Sequence, residues 1–182
     1  MKLYNLNVIT PFKDSSLKTL KKTISPLLNQ NYIHINHFIV YDNSCEDLLF
    51  SSNFSENIAT DFYNVRKICA EKSGIYSPIN QVLAKLNKEE FYLVLGAGDI
   101  LNIRKQIDIL NQDNFILIPY CLSRDRDKVI NKFFSSIMLG MPYCHNAIIF
   151  KNSNLRYSNN YSISSDYEYF LNYLNKYQIK LK

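Results

Sequence analysis

Residues 6–41 read LNVITPFKDSSLKTLKKTISPLLNQNYIHINHFIVY. The run Leu6–Thr10 is rich in β-forming residues, and Pro11 is expected to end it as a strand. From Leu17 to Leu28 the apolar residues recur at helical spacing, and His37–Tyr41 is a second strand-like run. A strand, a helix and a strand within about 35 residues predict a βαβ unit, with parallel strands and a right-handed crossover.

The alternation of strand and helix patterns continues along the chain. We predict further strands at Val65–Ala70, Phe91–Leu95, Phe115–Pro119 and Ala147–Phe150. Helical spacing marks Ile79–Leu86, Ile103–Leu110, Val129–Leu139 and a last helix from Ser165 to Leu174. No repeat or long polar linker divides the 182 residues, so we expect one α/β domain: a Rossmann-like, mostly parallel central sheet flanked by helices.

The composition excludes several classes of protein. Apolar residues make up 47% of the chain and charged residues 20%, which is typical of a folded globular domain and not of a disordered one. The net charge is only +5, and the basic residues form no long run, so we do not expect nucleic acid as a partner. The scattered lysines fit either a solvated surface or a weak attraction to an anionic membrane or a phosphorylated ligand.

The sequence predicts a cytoplasmic location. Its first residues alternate between polar and apolar and contain no continuous apolar core of a signal peptide. The longest apolar stretches, Phe91–Leu95 and Phe133–Met141, are far shorter than the roughly 20 residues that cross a bilayer. The four cysteines are widely separated and form no CxxC pair, so we expect free thiols in a reducing compartment.

Three acidic residues are the strongest candidates for a functional site. Asp42 and Asp99 each follow a predicted strand, and Asp166 begins the last helix. Ligands of parallel α/β sheets bind outside the carboxyl ends of the strands, where Asp42 and Asp99 would lie. Gly96 and Gly98 allow the backbone before Asp99 to approach a ligand closely, and a divalent cation held by a carboxylate and by phosphates suits that turn. Each acid also has a structural interpretation, as a helix cap or a first-turn acid.

Two further features have alternative interpretations. His145 lies between a predicted helix and a predicted strand, and is either a structural residue or a ligand. The tyrosines of the C-terminal part either belong to the core and its rim or form a surface on which sugars stack: Tyr157, Tyr161, Tyr167 and Tyr169.

A series of short motifs runs along nearly the whole chain in a recognisable order. They read VITPF at 8–12, LLNQNY at 27–32, FIVYDNS at 38–44, EKSGIY at 71–76 followed by Asn80, LGAGD at 95–99, MPYCHNA at 141–147 and SSDYE at 164–168. Together they resemble the motifs of family 2 glycosyltransferases of the colanic-acid and O-antigen type, which have the A-type nucleotide-diphospho-sugar transferase fold. The resemblance divides residues 1–182 into a nucleotide-binding half, 1–100, and an acceptor-side half, 101–182.

The resemblance also implies roles for individual residues. Asp166 matches the general base that deprotonates the acceptor hydroxyl. Asp99 and His145 are implied to hold a divalent metal, Mn or Mg, against the diphosphate. The implied nucleotide-sugar site comprises Thr10, Pro11, Asp42, Lys72, Gly74, Asn80, Gly98 and Asp99. The sequence departs from the family by carrying Gly-x-Asp where two acids are usual, which leaves one carboxylate at this position.

The function implied by the resemblance is an inverting glycosyltransferase, a hexosyl- or N-acetylhexosaminyl-transferase. Its donor would be a nucleotide-diphosphate sugar, expected to be a UDP-sugar, and its acceptor a hydroxyl of a glycan or lipid-linked molecule in bacterial capsule or lipopolysaccharide synthesis. Because the chain is short for the family, we expect a second copy, a partner transferase or the inner face of the membrane to complete the acceptor side. The alternative is a non-catalytic, degenerate module that binds a nucleotide sugar or a partner enzyme.

Overall fold

The computed structural model describes residues 4–13, 17–30, 33–41, 45, 60–70, 74–101, 115–117, 120–121, 129–130, 138, 140–160 and 164–179. The strands in these ranges are β1 (Tyr4–Phe12), β2 (Ile33–Tyr41), β3 (Tyr63–Cys69), β4 (Phe91–Val94), β5 (Phe115–Leu117), β6 (Tyr120–Cys121), β7 (Val129–Ile130) and β8 (Ile148–Lys151). The α-helices are α1 (Leu17–Leu28), α2 (Tyr76–Lys85) and α3 (Ser165–Lys176), and a 3₁₀ turn covers His145–Ala147. None of the helices in this part of the chain is long and apolar enough to cross a membrane.

The main sheet is mixed but mostly parallel. Its strand order is β3-β2-β1-β4-β8-β5 among the described residues. β1 lies between β2 and β4 and is parallel to both, and β3 is parallel to β2. β8 is antiparallel to β4 and to β5, while β6 and β7 form a separate antiparallel pair. The predicted α/β class, with a mostly parallel sheet flanked by helices, is confirmed.

Alternating side chains of the strands form a hydrophobic core on each face of the sheet. α1 packs on one face through the buried stripe Leu20, Ile24 and Leu27, at the spacing that the sequence predicts. α2 and α3 pack on the other face, with buried side chains that include Val82 and Phe170. A fully buried apolar side chain of this size contributes about 1.5–3 kcal/mol, so both helical layers stabilise the sheet.

Pro11 does not end β1, contrary to the prediction from the sequence. β1 continues through Phe12, and Pro11 pairs with Val40 of β2. On the other side of β1, the pairing with β4 extends only from Leu6 to Ile9. Proline has no N–H to donate, and the strand accommodates it because the pairing with β4 has already stopped at this point.

Other boundaries also differ from the predictions. The prediction of a helix over Val129–Leu139 is wrong at its start, where β7 pairs with β6. Val129 and the β-branched residue after it favour an extended backbone, and the helical spacing of the wider window had outweighed this preference. β2 begins earlier than predicted, at Ile33, and α2 begins at Tyr76. The helix predicted over Ile103–Leu110 lies outside the described residues.

A chain of three polar side chains is buried within the sheet. Thr10, His37 and Tyr63 are each 0% exposed. Oγ1 of Thr10 lies 2.8 Å from Nε2 of His37, and Nδ1 of His37 lies 2.7 Å from the hydroxyl of Tyr63. Both ring nitrogens are therefore satisfied by uncharged partners, and burial lowers the pKa of His37 to about 3. The imidazole is neutral at pH 7.

We expect the free energy of unfolding to decrease as the pH falls from about 6.5 towards 4, because His37 takes up a proton in the unfolded chain and not in the folded one. A single such histidine contributes at most about 1.4 kcal/mol per pH unit. His37→Gln should reduce this slope, as measured by urea denaturation at a series of pH values. Thr10→Val removes the hydrogen bond between residue 10 and Nε2 of His37 but keeps the imidazole. This variant should therefore retain the wild-type dependence of the unfolding free energy on pH. A wild-type slope in His37→Gln would contradict this assignment.

Candidate functional site

A cavity of about 470 Å³ opens at the carboxyl ends of β1, β2, β3 and β4. β2 lies on one side of β1 and β4 on the other, so the cavity occupies the point where the strand order reverses. Ligands of open α/β sheets bind at such a point. The lining includes Pro11, Lys13, Tyr41, Gly74, Gly96 and Ala97. The cavity is thus a candidate binding site, and its lining is mainly apolar.

The turn Gly96–Asp99 follows β4 and borders this cavity. The N–H of Asp99 donates to the carbonyl oxygen of Gly96, and the N–H of Gly96 donates to Oδ2 of Asp99, both at 3.0 Å. The N–H of Gly98 donates to Oγ1 of Thr23 at 2.8 Å, which anchors the turn to α1. Gly98 has a φ of +102°, a conformation that glycine adopts with little strain. The turn therefore holds Asp99 in one place at the end of the sheet.

The 3₁₀ turn before β8 lies between two of the predicted acids. Asn146 donates from Nδ2 to Oδ2 of Asp99 at 2.6 Å. Burial raises the pKa of the neighbouring Cys144 thiol, and the negative charges of Asp99 and Asp166 raise that pKa further. Residues 144–146 are therefore close to both acids, so the fold brings the predicted metal-side acid and the predicted base to one region.

His145 is held in the same turn by a tyrosine. Nε2 of His145 lies 2.9 Å from the hydroxyl of Tyr157. Its Nδ1 is buried and has no hydrogen-bond partner among the described residues. Burial lowers the pKa of His145 to about 4, although the charge of Asp166 acts in the opposite direction. At pH 7 the imidazole is neutral, so Nδ1 carries either an N–H donor or, in the other tautomer, a lone pair that can accept a proton or coordinate a cation.

Asp166 lies in the first turn of α3, where the helix dipole favours an acid. Ser164 has a φ of +80°, and Oγ of Ser165 donates to the carbonyl oxygen of Ser158 at 2.8 Å, so the start of the helix is fixed to the preceding loop. Tyr76, at the start of α2, is affected by Asp166. Burial raises the pKa of the Tyr76 hydroxyl, and the negative charge of Asp166 raises it further. The charge of Asp166 therefore acts on both His145 and Tyr76.

Two residues predicted to line the nucleotide site have other contacts in this structure. The hydroxyl of Thr10 is buried against His37. The amide of Asn80 binds the backbone of Tyr157 twice: Nδ2 donates to its carbonyl oxygen at 2.8 Å, and Oδ1 accepts from its N–H at 2.9 Å. Asn80 therefore fixes the residue that orients His145. In this structure both side chains bind other residues of the protein and do not line the cavity.

The remaining predicted site residues fall into two groups. Pro11 and Gly74 line the cavity, and Gly98 belongs to the turn beside it. Asp42 and Lys72 lie outside the described residues. Among the residues that are described, no three His, Cys, Asp or Glu side chains form a cluster that could hold a metal ion.

The sequence analysis missed three supporting residues. Thr23 is a fully buried polar residue on the apolar face of α1, which is a recognisable signal of a specific hydrogen bond. Asn146 is adjacent to His145 in the MPYCHNA motif but had no assigned partner. Tyr157 was given a role only in the core or in sugar stacking, because nothing in the sequence pairs it with His145.

The fold relates this chain to proteins of known structure. No protein-family model matches the sequence, and no curated protein matches it. The fold is similar to the glycosyltransferase A-type fold, as the prediction requires. In particular, it is similar to the crystal structure of S. aureus TarS 1-349, with a TM-score of 0.68 and 15% identity over 93% of this chain and 55% of that chain.

TarS has also been crystallised in two other forms that are similar to this chain. The match to TarS 1-349 in complex with UDP-GlcNAc has a TM-score of 0.65 and 18% identity, and covers 94% of this chain and 54% of that chain. The match to the longer TarS structure covers 33% of it. At these identities the similarity establishes the fold alone, and the chain spans about half the length of the TarS 1-349 fragment.

Two glycines of the site provide a matched test of the turn geometry. Gly74 and Gly98 have nearly the same φ, +101° and +102°. A Cβ at Gly74 would meet none of the described residues within 4 Å, whereas one at Gly98 would lie 2.8 Å from Cγ2 of Thr19. Gly74→Ala should therefore cost about 1–2 kcal/mol of unfolding free energy through backbone strain alone. Gly98→Ala should cost more, measured by urea denaturation. Equal costs would show that Thr19 yields to the added methyl group without loss of stability, which would contradict this prediction.

Proposed function

We propose that this chain is a nucleotide-sugar glycosyltransferase that uses a UDP-sugar as its donor. The observation that carries the proposal is the cavity at the strand-order reversal, bordered by the glycine turn that holds Asp99. It is supported by the similarity of the fold to TarS, which has been crystallised with UDP-GlcNAc. The motif series that resembles family 2 glycosyltransferases gives independent support.

On the donor side, the nucleoside would occupy the cavity between Pro11, Tyr41 and Gly74. Asp42 and Lys72 complete this side by resemblance to the family. Lys13 is a charged residue in the lining, and its ammonium group would attract the diphosphate. The diphosphate would then extend towards the Gly96–Asp99 turn.

The A-type fold implies a divalent metal, and the donor set at Asp99 fits one. Mg²⁺ and similar hard cations are commonly held by one or two carboxylates together with substrate phosphates and water. Oδ2 of Asp99 accepts two hydrogen bonds, which is typical of a carboxylate that binds metal through its other oxygen. We assign Asp99 as the carboxylate ligand and His145 as a nitrogen ligand through Nδ1, which has no partner in the described chain. A metal bound here would offset the negative charge of the leaving diphosphate.

On the acceptor side, Asp166 is proposed as the general base. An acceptor hydroxyl bound beside it would transfer its proton to the carboxylate as the oxygen attacks the anomeric carbon, and a single displacement of this kind inverts the configuration. The charge of Asp166 reaches Tyr76 and His145, so the proposed base lies near the proposed nitrogen ligand of the metal. The acceptor is proposed to be a hydroxyl of a glycan or of a lipid-linked molecule in surface polysaccharide synthesis. A second copy, a partner transferase or the membrane surface would complete its binding.

The donor proposal is tested by calorimetric titration of the chain with UDP and UDP-GlcNAc in the presence and absence of Mn²⁺. We expect binding that is strengthened by Mn²⁺, and Asp99→Asn should remove this strengthening by at least about tenfold, because it deletes the charge that holds the cation. Asp61→Asn, which changes an exposed acid on the loop before β3, is the matched control and should bind as the wild type does. Failure of the wild-type chain to bind either nucleotide would overturn the proposal.

A non-catalytic nucleotide-sugar-binding module is the second proposal. It is favoured by one observation: both bonds described at Oδ2 of Asp99 serve the local turn and its neighbour, as a purely structural acid would. Release of UDP from UDP-GlcNAc, with water as the acceptor, distinguishes the two proposals. For an enzyme, Asp166→Asn should reduce this release by about 10²–10⁴-fold while UDP binding is unchanged. Glu168→Gln, on the same helical turn, should keep the wild-type rate. If Asp166→Asn turns over as the wild type does, Asp166 is not the base.

A further inference from the structure

Three features of the chain converge on one atom, Oδ2 of Asp99. The N–H of Gly96 donates to it at 3.0 Å and Nδ2 of Asn146 donates to it at 2.6 Å. A Cβ at position 96 would lie 2.8 Å from Oδ2 and 3.4 Å from Nδ2, so only a glycine leaves room for both bonds. The other carboxylate oxygen, Oδ1, accepts neither bond. The arrangement fixes which oxygen of Asp99 faces the protein.

Asn146 is itself held rigidly. It is the middle residue of the 3₁₀ turn, which is closed by a bond from the N–H of Ala147 to the carbonyl oxygen of Cys144 at 2.9 Å. Ala147 is buried, and β8 begins at the next residue and pairs with β4 on one side and β5 on the other. Asn146 precedes β8, and the Gly96–Asp99 turn follows β4. Because β8 and β4 are paired in one sheet, the two side chains are held at a fixed separation.

The bond between the two side chains is of the strong kind. A hydrogen bond to an ionised carboxylate is shorter and roughly twice as strong as one between neutral groups, and 2.6 Å is short for an amide donor. A donor on one oxygen restricts rotation of the carboxylate and leaves the other oxygen free to coordinate. In metal sites the loss of such an outer partner typically lowers metal affinity by about 10–100-fold, because a carboxylate that rotates must be ordered again for each binding event.

We propose that Asn146 is the positioning residue for Asp99: its amide holds Oδ2 so that Oδ1 is presented to a divalent cation. This inference rests on the proposed function only for the identity of the diphosphate ligand. The bond and its effect on cation affinity belong to the chain itself. Asn146 acts through Asp99 and touches neither substrate in this proposal.

The test measures cation affinity directly and does not require turnover. Mn²⁺ alone is titrated into the full chain, and then Mn²⁺ with UDP, while the signal of the free aquo ion is followed by electron paramagnetic resonance. Asn146→Ala should weaken Mn²⁺ binding by about 10–100-fold in both titrations. UDP binding without metal, measured by calorimetry, should not change. Asn146→Gln retains an amide donor and should recover part of the affinity, whereas Asn154→Ala, an exposed asparagine of the following loop, should behave as the wild type does.

A second variant perturbs Oδ2 of Asp99 through residue 96 and leaves Asn146 unchanged. Gly96→Ala places a methyl group against Oδ2 and should weaken Mn²⁺ binding even if Asn146→Ala fails to fold, which thermal denaturation would reveal. Wild-type Mn²⁺ affinity in a folded Asn146→Ala or Gly96→Ala variant would overturn the inference, as would a wild-type chain that binds Mn²⁺ neither alone nor with UDP. If Mn²⁺ binds and depends on Asn146 while UDP binds nowhere, the inference stands and the proposed transferase function fails.

Discussion

The unequal pairing of β1 on its two sides is the constraint on which the site depends. β1 pairs with β2 along its full length, through Phe12, but with β4 only as far as Ile9, and the bond from the N–H of Leu95 to the carbonyl oxygen of Ile9 is the last between them. Beyond that bond β1 and β4 separate, and the cavity lies between the end of β1 and the turn after β4. Because β4 no longer pairs with β1 at this point, Pro11 leaves no hydrogen bond unmade. The chain after β4 is likewise free to form the turn that contains Gly96 and Gly98. One local loss of strand pairing thus produces the cavity.

The polar groups around the cavity are fixed by partners that lie behind them in the core. Thr23 on α1 holds the N–H of Gly98, and the amide of Asn80 on α2 holds the backbone of Tyr157, which in turn holds His145. Because each anchor comes from a helix on a different face of the sheet, the site is rigid only when both cores are packed. Burial of the Thr23 hydroxyl costs little because it accepts the N–H of Gly98, whereas Nδ1 of His145 is buried without a partner in the described part of the chain.

The sequence was sufficient to predict the elements whose periodicity is strong, and insufficient where contacts between distant residues decide. The stripe of α1 and the buried strand β4 follow directly from spacing and composition, and the position of Asp99 follows from the glycines before it. The end of β1 does not, because proline is tolerated only when a neighbouring strand has already diverged. The roles of Asn80 and Asn146 do not either, since their partners are 77 and 47 residues away in the chain. An amide side chain has no periodicity that would reveal its partner.

The charges of the described residues are unevenly distributed around the cavity. Lys13 supplies one positive charge to the lining of the cavity, whereas Asp99 and Asp166 place two negative charges near residues 144–146, where His145 stays neutral. A diphosphate brought to this region without a cation would be repelled by both carboxylates in a partly desolvated environment, where such repulsion is stronger than in water. Under the proposed function, a divalent cation between Asp99 and the phosphates would remove this repulsion. The charges of the described residues therefore favour nucleotide binding that depends on the cation, and a site that bound UDP equally well without metal would have to place the diphosphate away from Asp99, towards Lys13.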